Sequence, residues 1–331
     1  MRSTASWSCV LGCLAAVGAA NAGECPGNPE ALGVSRTIVV DPAQHAQIGS
    51  LQYSESLPLA DHEVVLTFDD GPLPPYTSRV LDILAADCVK ATFFMVGRQV
   101  QRYPQLVQRA HNEGHTIANH SQNHPLTFNR MAVEQAAGEI EGGFAALRAA
   151  LGDGAAVAPF FRIPGLLRHP SVEDYLKSND LMTWSVDFLA DDWKHVRPQV
   201  VVRRALARIE AKGRGILLLH DIQPATAVGL TDLLRQLKSR GYQIVHVVPA
   251  TPERAATETT PEQWVLHAPH RSKPESSRSA QSNKTPSRPE ERSPEHWVPA
   301  SARPAFPDHR VQISPTTPFG AFFGSWFRAW R

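Results

Sequence analysis

The chain has 331 residues, with 33 lysines and arginines against 32 aspartates and glutamates, a formal net charge of +1. That balance argues against an electrostatic nucleic-acid binder, which carries a basic excess. A hydrophobic fraction of 42% can bury one sizeable core, and barrels often use roughly 200 to 250 residues as a single domain.

Residues 1–22 begin with one arginine, continue as a short apolar run and end in Ala20-Asn21-Ala22 before Gly23. This is the charged start, apolar middle and small-residue cleavage site of a secretory signal peptide, so the protein is expected to be exported, periplasmic or secreted. The run is too short and too rich in Ala and Gly for a good membrane span. Cleavage after Ala22 removes Cys9 and Cys13 and leaves Cys25 and Cys88. In an oxidising compartment this even pair is either a disulfide or two buried thiols.

Residues 23–62 read as a loosely structured lead-in with one short strand near Thr37 to Val40. From Glu63 to Pro249 strands and helices alternate. EVVLTF (63–68) reads as a strand and YTSRVLDILAADC (76–88) as a helix by its apolar spacing. KATFFMVG (90–97) is a strand. YPQLVQRAHNEG (103–114) is a helix stopped by Gly114. HTIANH (115–120) is a strand. MAVEQAAGEIEGGFAALRAAL (131–151) is a longer helix weakened by three glycines. APFFRIP (158–164), SVEDYLKSN (171–179) and LMTWSVDF (181–188) read as strand, helix and strand. RPQVVVRRALARIEAKG (197–213) is a helix with basic residues near its end. GILLLH (215–220), GLTDLLRQLKSRG (229–241) and YQIVHVV (242–248) close the series. The strands are short, apolar and β-branched, as in a parallel sheet buried on both faces. A closed or nearly closed β/α barrel fits best, with a doubly wound open sheet as the alternative.

After Pro249 the composition turns to Pro, Ser and charged residues. Residues 250–331 cannot bury enough apolar surface to offset ordering entropy and read as a disordered tail. Truncation near Pro249 is therefore expected to leave a folded barrel. The end, PFGAFFGSWFRAWR, is too short to span a bilayer. It reads as a contact for a membrane surface, an envelope component or a partner, or as a tail packed on its own domain.

The stretch TFDDGP (67–72) puts two carboxylates where a strand ends in a Gly-Pro turn. An isolated Asp-Asp-Gly is ordinarily an acidic turn or helix N-cap, so the other strand ends decide. They carry His120 and His124 in HSQNH, Arg162 in RIPG, Asp187, Asp191, Asp192 and Trp193 in DFLADDW, and His220 with Asp221 in LLLHD. In a β/α barrel these ends converge on one face, where active sites lie. His120 and His124 are spaced four apart, and a helical turn begun at Ser121 would put both imidazoles on one face. Two histidines and a carboxylate make a hydrolytic zinc site with a position left for water. Cobalt, iron or nickel also suit such ligands. One aspartate would anchor the metal and the other take a proton from water, while Arg162 holds the latter as its anion. His220 suits protonation of a leaving group, with a nearby carboxylate keeping it cationic. Two adjacent aspartates cannot readily straddle a glycosidic bond, which sets a glycosidase aside. His111, His115 and His169 read as surface or satisfied core residues and Trp184 as core. His246 falls in the last strand, near the barrel mouth.

Together TFDDGP, HSQNH, RIPG, DDW and LLLHD resemble, in order and approximate spacing, the five motifs of the polysaccharide deacetylases with a NodB homology domain, carbohydrate esterase family 4. The resemblance covers roughly Glu63 to Pro249. It implies an irregular (β/α)7 barrel and metal-dependent removal of acetyl from an N- or O-acetylated sugar polymer. By resemblance Asp69 is the base, and Asp70, His120 and His124 bind one divalent metal, zinc foremost with cobalt as a substitute. Arg162 positions Asp69, and His220 is the acid, assisted by Asp192. Leu218 and Trp193 would shape the pocket for the acetyl methyl. Two departures stand out. RIPG lacks a second proline and an aromatic residue, leaving Gly165 or its neighbours to supply the oxyanion N–H. The acids of DFLADDW are spaced more widely than usual, leaving Asp191 and Asp192 both open as the partner of His220.

Overall fold

The computed structural model describes residues 25–152 and 157–265. The expected signal peptide and the aromatic end lie outside the described residues, as does most of the Pro- and Ser-rich tail. The elements run in chain order as β1 (Arg36–Val40), β2 (Gln47–Ile48), β3 (Glu63–Asp69), α1 (Tyr76–Ala86), β4 (Thr92–Met95), α2 (Gly97–Arg102), α3 (Pro104–Asn112) and β5 (Thr116–Asn119). They continue as α4 (Val133–Leu151), β6 (Phe160–Phe161), α5 (Pro170–Ser178), β7 (Met182–Trp184), β8 (Phe188–Leu189), α6 (Pro198–Lys212), β9 (Gly215–His220), α7 (Pro224–Ser239) and β10 (Gln243–Pro249). No helix among the described residues is long and apolar enough to cross a membrane.

Seven parallel strands, β8-β9-β3-β4-β5-β6-β7, curve into an irregular barrel. Strand alternation explains the two cores. On β3, Val64, Leu66 and Phe68 face the helices, and Val65 faces inward. On β9, Leu217 and Leu219 face out while Ile216 and Leu218 face in. Phe94, Ala118, Phe160 and Trp184 complete the interior from four other strands. Continuing the same alternation, four residues past Val65 and two past Leu218, brings Asp69 and His220 to the inward column at the strand ends, where they are paired in register. The fold thus aims the polar strand ends at one mouth.

The lead-in is built into this barrel. β1 runs parallel to β10 from Arg36 opposite Val245 to Val40 opposite Pro249. β10 begins beside Glu63 on β3 and reaches Thr116, the first residue of β5, whose hydroxyl donates to the Val247 carbonyl at 2.6 Å. Ile38, Val40, Val245 and Val247 therefore close the end of the interior opposite the mouth. His246 lies there too, its Nε2 2.9 Å from the Thr116 hydroxyl, rather than at the mouth as read from sequence. Cys25 and Cys88 are joined as a disulfide, which ties the lead-in to the residues just after α1.

LMTWSVDF forms two strands rather than one, because the chain changes partner: the Ser185 amide donates to the Ile48 carbonyl beside β7, and the Asp187 amide to the Ile216 carbonyl of β9. Asp187 also holds the lead-in. Its carboxylate accepts hydrogen bonds from the Ser50 amide (2.8 Å), the Ser56 hydroxyl (2.7 Å) and the Ile216 amide (2.7 Å). Residues 49–56 thereby fill the seam between β7 and β8, helped by the Leu51 amide donating to the Val186 carbonyl. α2, a single short turn of helix, was not legible in sequence.

The packed unit also extends beyond Pro249. The Thr257 amide donates to the Val39 carbonyl at 2.9 Å, and the Ser56 amide to the Trp264 carbonyl at 2.7 Å. The Trp264 indole is buried, stacks on His45 with ring centroids 3.3 Å apart and belongs to the interior cluster. The boundary expected near Pro249 thus cuts through packed structure. A chain ending at Pro249 loses a buried Trp, worth about 3 kcal/mol or more. It is expected to melt on the order of 10 °C below the full-length chain, whereas a chain ending at Val265 melts like it. Calorimetry of the three chains checks this, and equal melting points would show that the strap adds nothing.

Candidate active site

Asp69 and Asp70 meet at the barrel mouth by different means. Asp69 is the last residue of β3 and is inward by strand alternation. Asp70 would point outward but adopts a positive φ of 77°. That turn costs a non-glycine residue about 1 kcal/mol and brings the second carboxylate to the same cavity. The next residue, Gly71, makes the turn fit. A Cβ there would lie 2.1 Å from Oδ2 of Asp221, whose carboxylate sits directly behind the loop. Asp221 is fully buried and accepts from the Thr77 hydroxyl at 2.5 Å. Burial pushes its carboxyl up to about 7.

The two aspartates have different partners. Asp69 Oδ1 accepts from Arg162 Nη1 at 2.6 Å. Arg162 is completely buried, directly after β6. Its guanidinium also donates to the Thr67 hydroxyl (2.9 Å) and the Ser185 carbonyl (3.2 Å), and it packs 4.0 Å above the Phe94 ring. A buried cation this well coordinated is a rigid clamp on one carboxylate. Asp70 Oδ1 instead is buried without a hydrogen-bond partner. It lies 3.1 Å from His124 Nε2 and 3.5 Å from His120 Nε2. One ligand atom from each of Asp70, His120 and His124 lies within 4.8 Å of the others.

The histidines converge through a loop and not through the helical turn that their spacing would also allow. Ser121 and His124 both have positive φ, 71° and 57°. The loop is pinned by Asn119, whose side chain accepts from the Ser121 amide and donates to the Ile140 carbonyl of α4. The Ser121 hydroxyl accepts from the His124 amide at 2.9 Å. Gly143 in α4 has a structural reason: a Cβ there would lie 2.1 Å from Asn119 Oδ1. His120 Nδ1–H donates to the Arg162 carbonyl at 2.7 Å, which leaves the Nε2 lone pair facing Asp70. Burial lowers the His120 pKa to about 4, against the opposing pull of Asp69, so the ring is neutral. Burial alone would raise Asp70, yet His124, His220 and His120 together hold it below its ordinary range. The Nε2 atoms of His120 and His124 and an otherwise unpartnered carboxylate oxygen fit a divalent metal ion.

On the other side of Asp70, His220 Nε2 approaches Asp70 Oδ2 at 3.9 Å. His220 Nδ1–H donates to Asp192 Oδ1 at 2.8 Å. Asp192 Oδ2 accepts from the His220 amide and the Thr226 hydroxyl. Burial would lower His220, but the charge and hydrogen bond of Asp192, with Asp70 and Asp69 beyond, raise it to about 10. Asp191 faces away, 2.8 Å from Arg208 on α6 and 3.5 Å from Lys194. Of the two acids left open by the sequence, Asp192 is thus the one bonded to His220. The Trp193 ring meets His220 edge-on with centroids 5.6 Å apart. Leu218 lies two residues below His220 in the inward column. Gly165, at φ 62°, turns the chain just past Arg162 and Pro164.

Sequence reasoning missed three supports. Thr67 was legible as the inward residue two before Asp69. Asp221 was visible in LLLHD, but its place behind Gly71 was not. Arg98, on α2, adds positive charge beside Asp70 and Glu139, and nothing in the sequence pointed to it.

A family model described as polysaccharide deacetylase matches residues 57–184. A peptidoglycan-N-acetylglucosamine deacetylase of Bacillus cereus is 34% identical over 189 residues, 56% of this chain and 85% of that one. The peptidoglycan-N-acetylmuramic acid deacetylase PdaC of Bacillus subtilis is 34% identical over 206 residues, 61% of this chain. The chain spans only 41% of PdaC. Among solved structures, the Bdellovibrio bacteriovorus peptidoglycan deacetylase Bd3279 superposes with a TM-score of 0.59 at 31% identity, covering 68% of this chain and 63% of that one. With 34% identity over 189 aligned residues that span 85% of the B. cereus protein, the chain belongs to the polysaccharide deacetylase family.

Proposed function

We propose that this protein removes acetyl groups from an N- or O-acetylated polysaccharide or oligosaccharide outside the cytoplasm, as a metal-dependent hydrolase. The observation that carries this reading is the divergent environment of two adjacent carboxylates. Asp70 offers a bare, buried oxygen to the imidazoles of His120 and His124, while Asp69 is clamped by Arg162. A divalent cation held by Asp70, His120 and His124, zinc foremost, would polarise the acetyl carbonyl and acidify water. Asp69 accepts the proton of the attacking water, and Arg162 keeps its carboxylate anionic and aimed. His220, held cationic by Asp192, donates a proton to the departing amine or alcohol oxygen. The backbone turn at Gly165 supplies an N–H toward the developing oxyanion. Leu218 and Trp193 enclose the acetyl methyl. Export is supported by the signal-like residues 1–22, by the Cys25–Cys88 disulfide and by relatives named for peptidoglycan.

The test is acetate release from chitin oligomers, peptidoglycan, poly-N-acetylglucosamine and acetylated xylan. Acetate is expected from at least one of them, abolished by a chelator and restored by adding back zinc or cobalt. No release from any substrate, with one metal ion bound per chain, would point to a carbohydrate-binding protein instead.

A further inference from the structure

We infer that Gln52, contributed by the lead-in ahead of the matched residues, is a positioning residue for the acetyl pocket; this rests on the deacetylase reading above. Gln52 lies in the segment that fills the seam between β7 and β8, and it is half-buried. Its two amide atoms reach two different walls of the mouth. Nε2 donates to the Leu166 carbonyl at 2.8 Å, within the turn that follows Pro164. Oε1 accepts from the Ser185 hydroxyl at 2.9 Å, and the backbone carbonyl of Ser185 in turn holds Arg162 Nη2 at 3.2 Å. One side chain therefore links the turn assigned to the oxyanion with the strand end that locks the clamp on Asp69.

The turn needs such an anchor. Gly165 and Leu166 both have positive φ, 62° and 57°, so this short stretch lies in backbone conformations of low intrinsic stability. The surroundings hold Gln52 itself in place. Arg168 Nη1 donates to the Gln52 carbonyl at 2.9 Å, and its guanidinium lies 4.6 Å over the Tyr53 ring. Arg168 also pairs with Glu173, which accepts from the Tyr53 hydroxyl at 2.6 Å. The segment is thus clasped by the turn itself and by residues that follow it. A hydrogen-bonded side chain that fixes a reactive geometry acts on turnover more than on substrate affinity.

The experiment compares the full-length wild type with Gln52→Leu, which removes both bonds, and with Gln52→Glu. The latter keeps the acceptor for Ser185 but sets a carboxylate against the Leu166 carbonyl. Hydrogen exchange is read at the Leu166 and Leu167 amides, which donate within the turn to the Ile163 and Pro164 carbonyls. Both variants are expected to exchange about tenfold faster there, with kcat for acetate release down about tenfold and KM within about twofold. Melting temperature and bound metal are expected to match the wild type. Unchanged exchange at Leu166 and Leu167, or unchanged kcat, overturns the proposal. So does a fall in kcat that is matched by loss of metal or of the thermal transition, since that marks a general structural role. If the wild type releases acetate from no substrate, the deacetylase reading fails, while exchange in the turn still decides whether Gln52 holds it.

Discussion

Asp70→Asn is expected to empty the site of metal, and Asp69→Asn to keep the metal and stop turnover. The two residues are neighbours, but they bond in opposite directions. Asp70 Oδ1 has no hydrogen-bond partner and faces His120 and His124. An amide is a poor ligand for a divalent cation, so affinity falls by on the order of 100-fold or more, beyond what loss of an outer partner costs. Asp69 already receives Arg162 at 2.6 Å, and its other oxygen stays 3.6 Å from His120 Nε2. As Asn it cannot take a proton from water, and kcat falls about a thousandfold, roughly 4 kcal/mol of barrier. Elemental analysis of both purified variants, run beside acetate release, separates the roles. Metal loss in Asp69→Asn with retention in Asp70→Asn would mean that the roles are exchanged.

The second large effect falls on the leaving group. His220→Ala is expected to retain metal and to lower kcat on an N-acetyl sugar by about 10²- to 10³-fold, because an amine leaves only when protonated. An activated aryl acetate departs without that proton, so the same variant is expected to lose about tenfold or less on it. Asp192→Asn should act through His220 and not directly. The Asp192 charge and hydrogen bond oppose burial and raise His220. Without that charge, His220 loses its proton at lower pH, and the basic limb of the pH–rate profile moves down. An unchanged basic limb, or equal losses on amide and ester substrates, would remove His220 from the acid role.

The alternation of inward and outward residues could be read along β3 and β9, and with it the placement of Asp69 and His220 at strand ends. It could be read because strand periodicity is local: Val65, Thr67 and Asp69 share a face whatever lies across from them. The motif residues were legible for a similar reason, since each ends a strand and successive parallel strands share one polarity. The positive φ that turns Asp70 inward was not legible, because it depends on the space that Asp221 and Gly71 leave between two strands. Whether a loop or a helical turn joins His120 to His124 was not legible, since a four-residue spacing fits either. Asn119 bonding into α4 made the choice. Likewise Asp191 and Asp192 are equivalent in sequence. One meets Arg208 and the other His220 only once α6 and β9 have packed. The lead-in gave least away. Its strands β1 and β2 are short and its Gln52 is an ordinary polar residue, so its place in the wall of the site arises only when residues 49–56 fill the β7–β8 seam. Local patterning thus set which residues face the mouth, whereas long-range packing decided which of them touch.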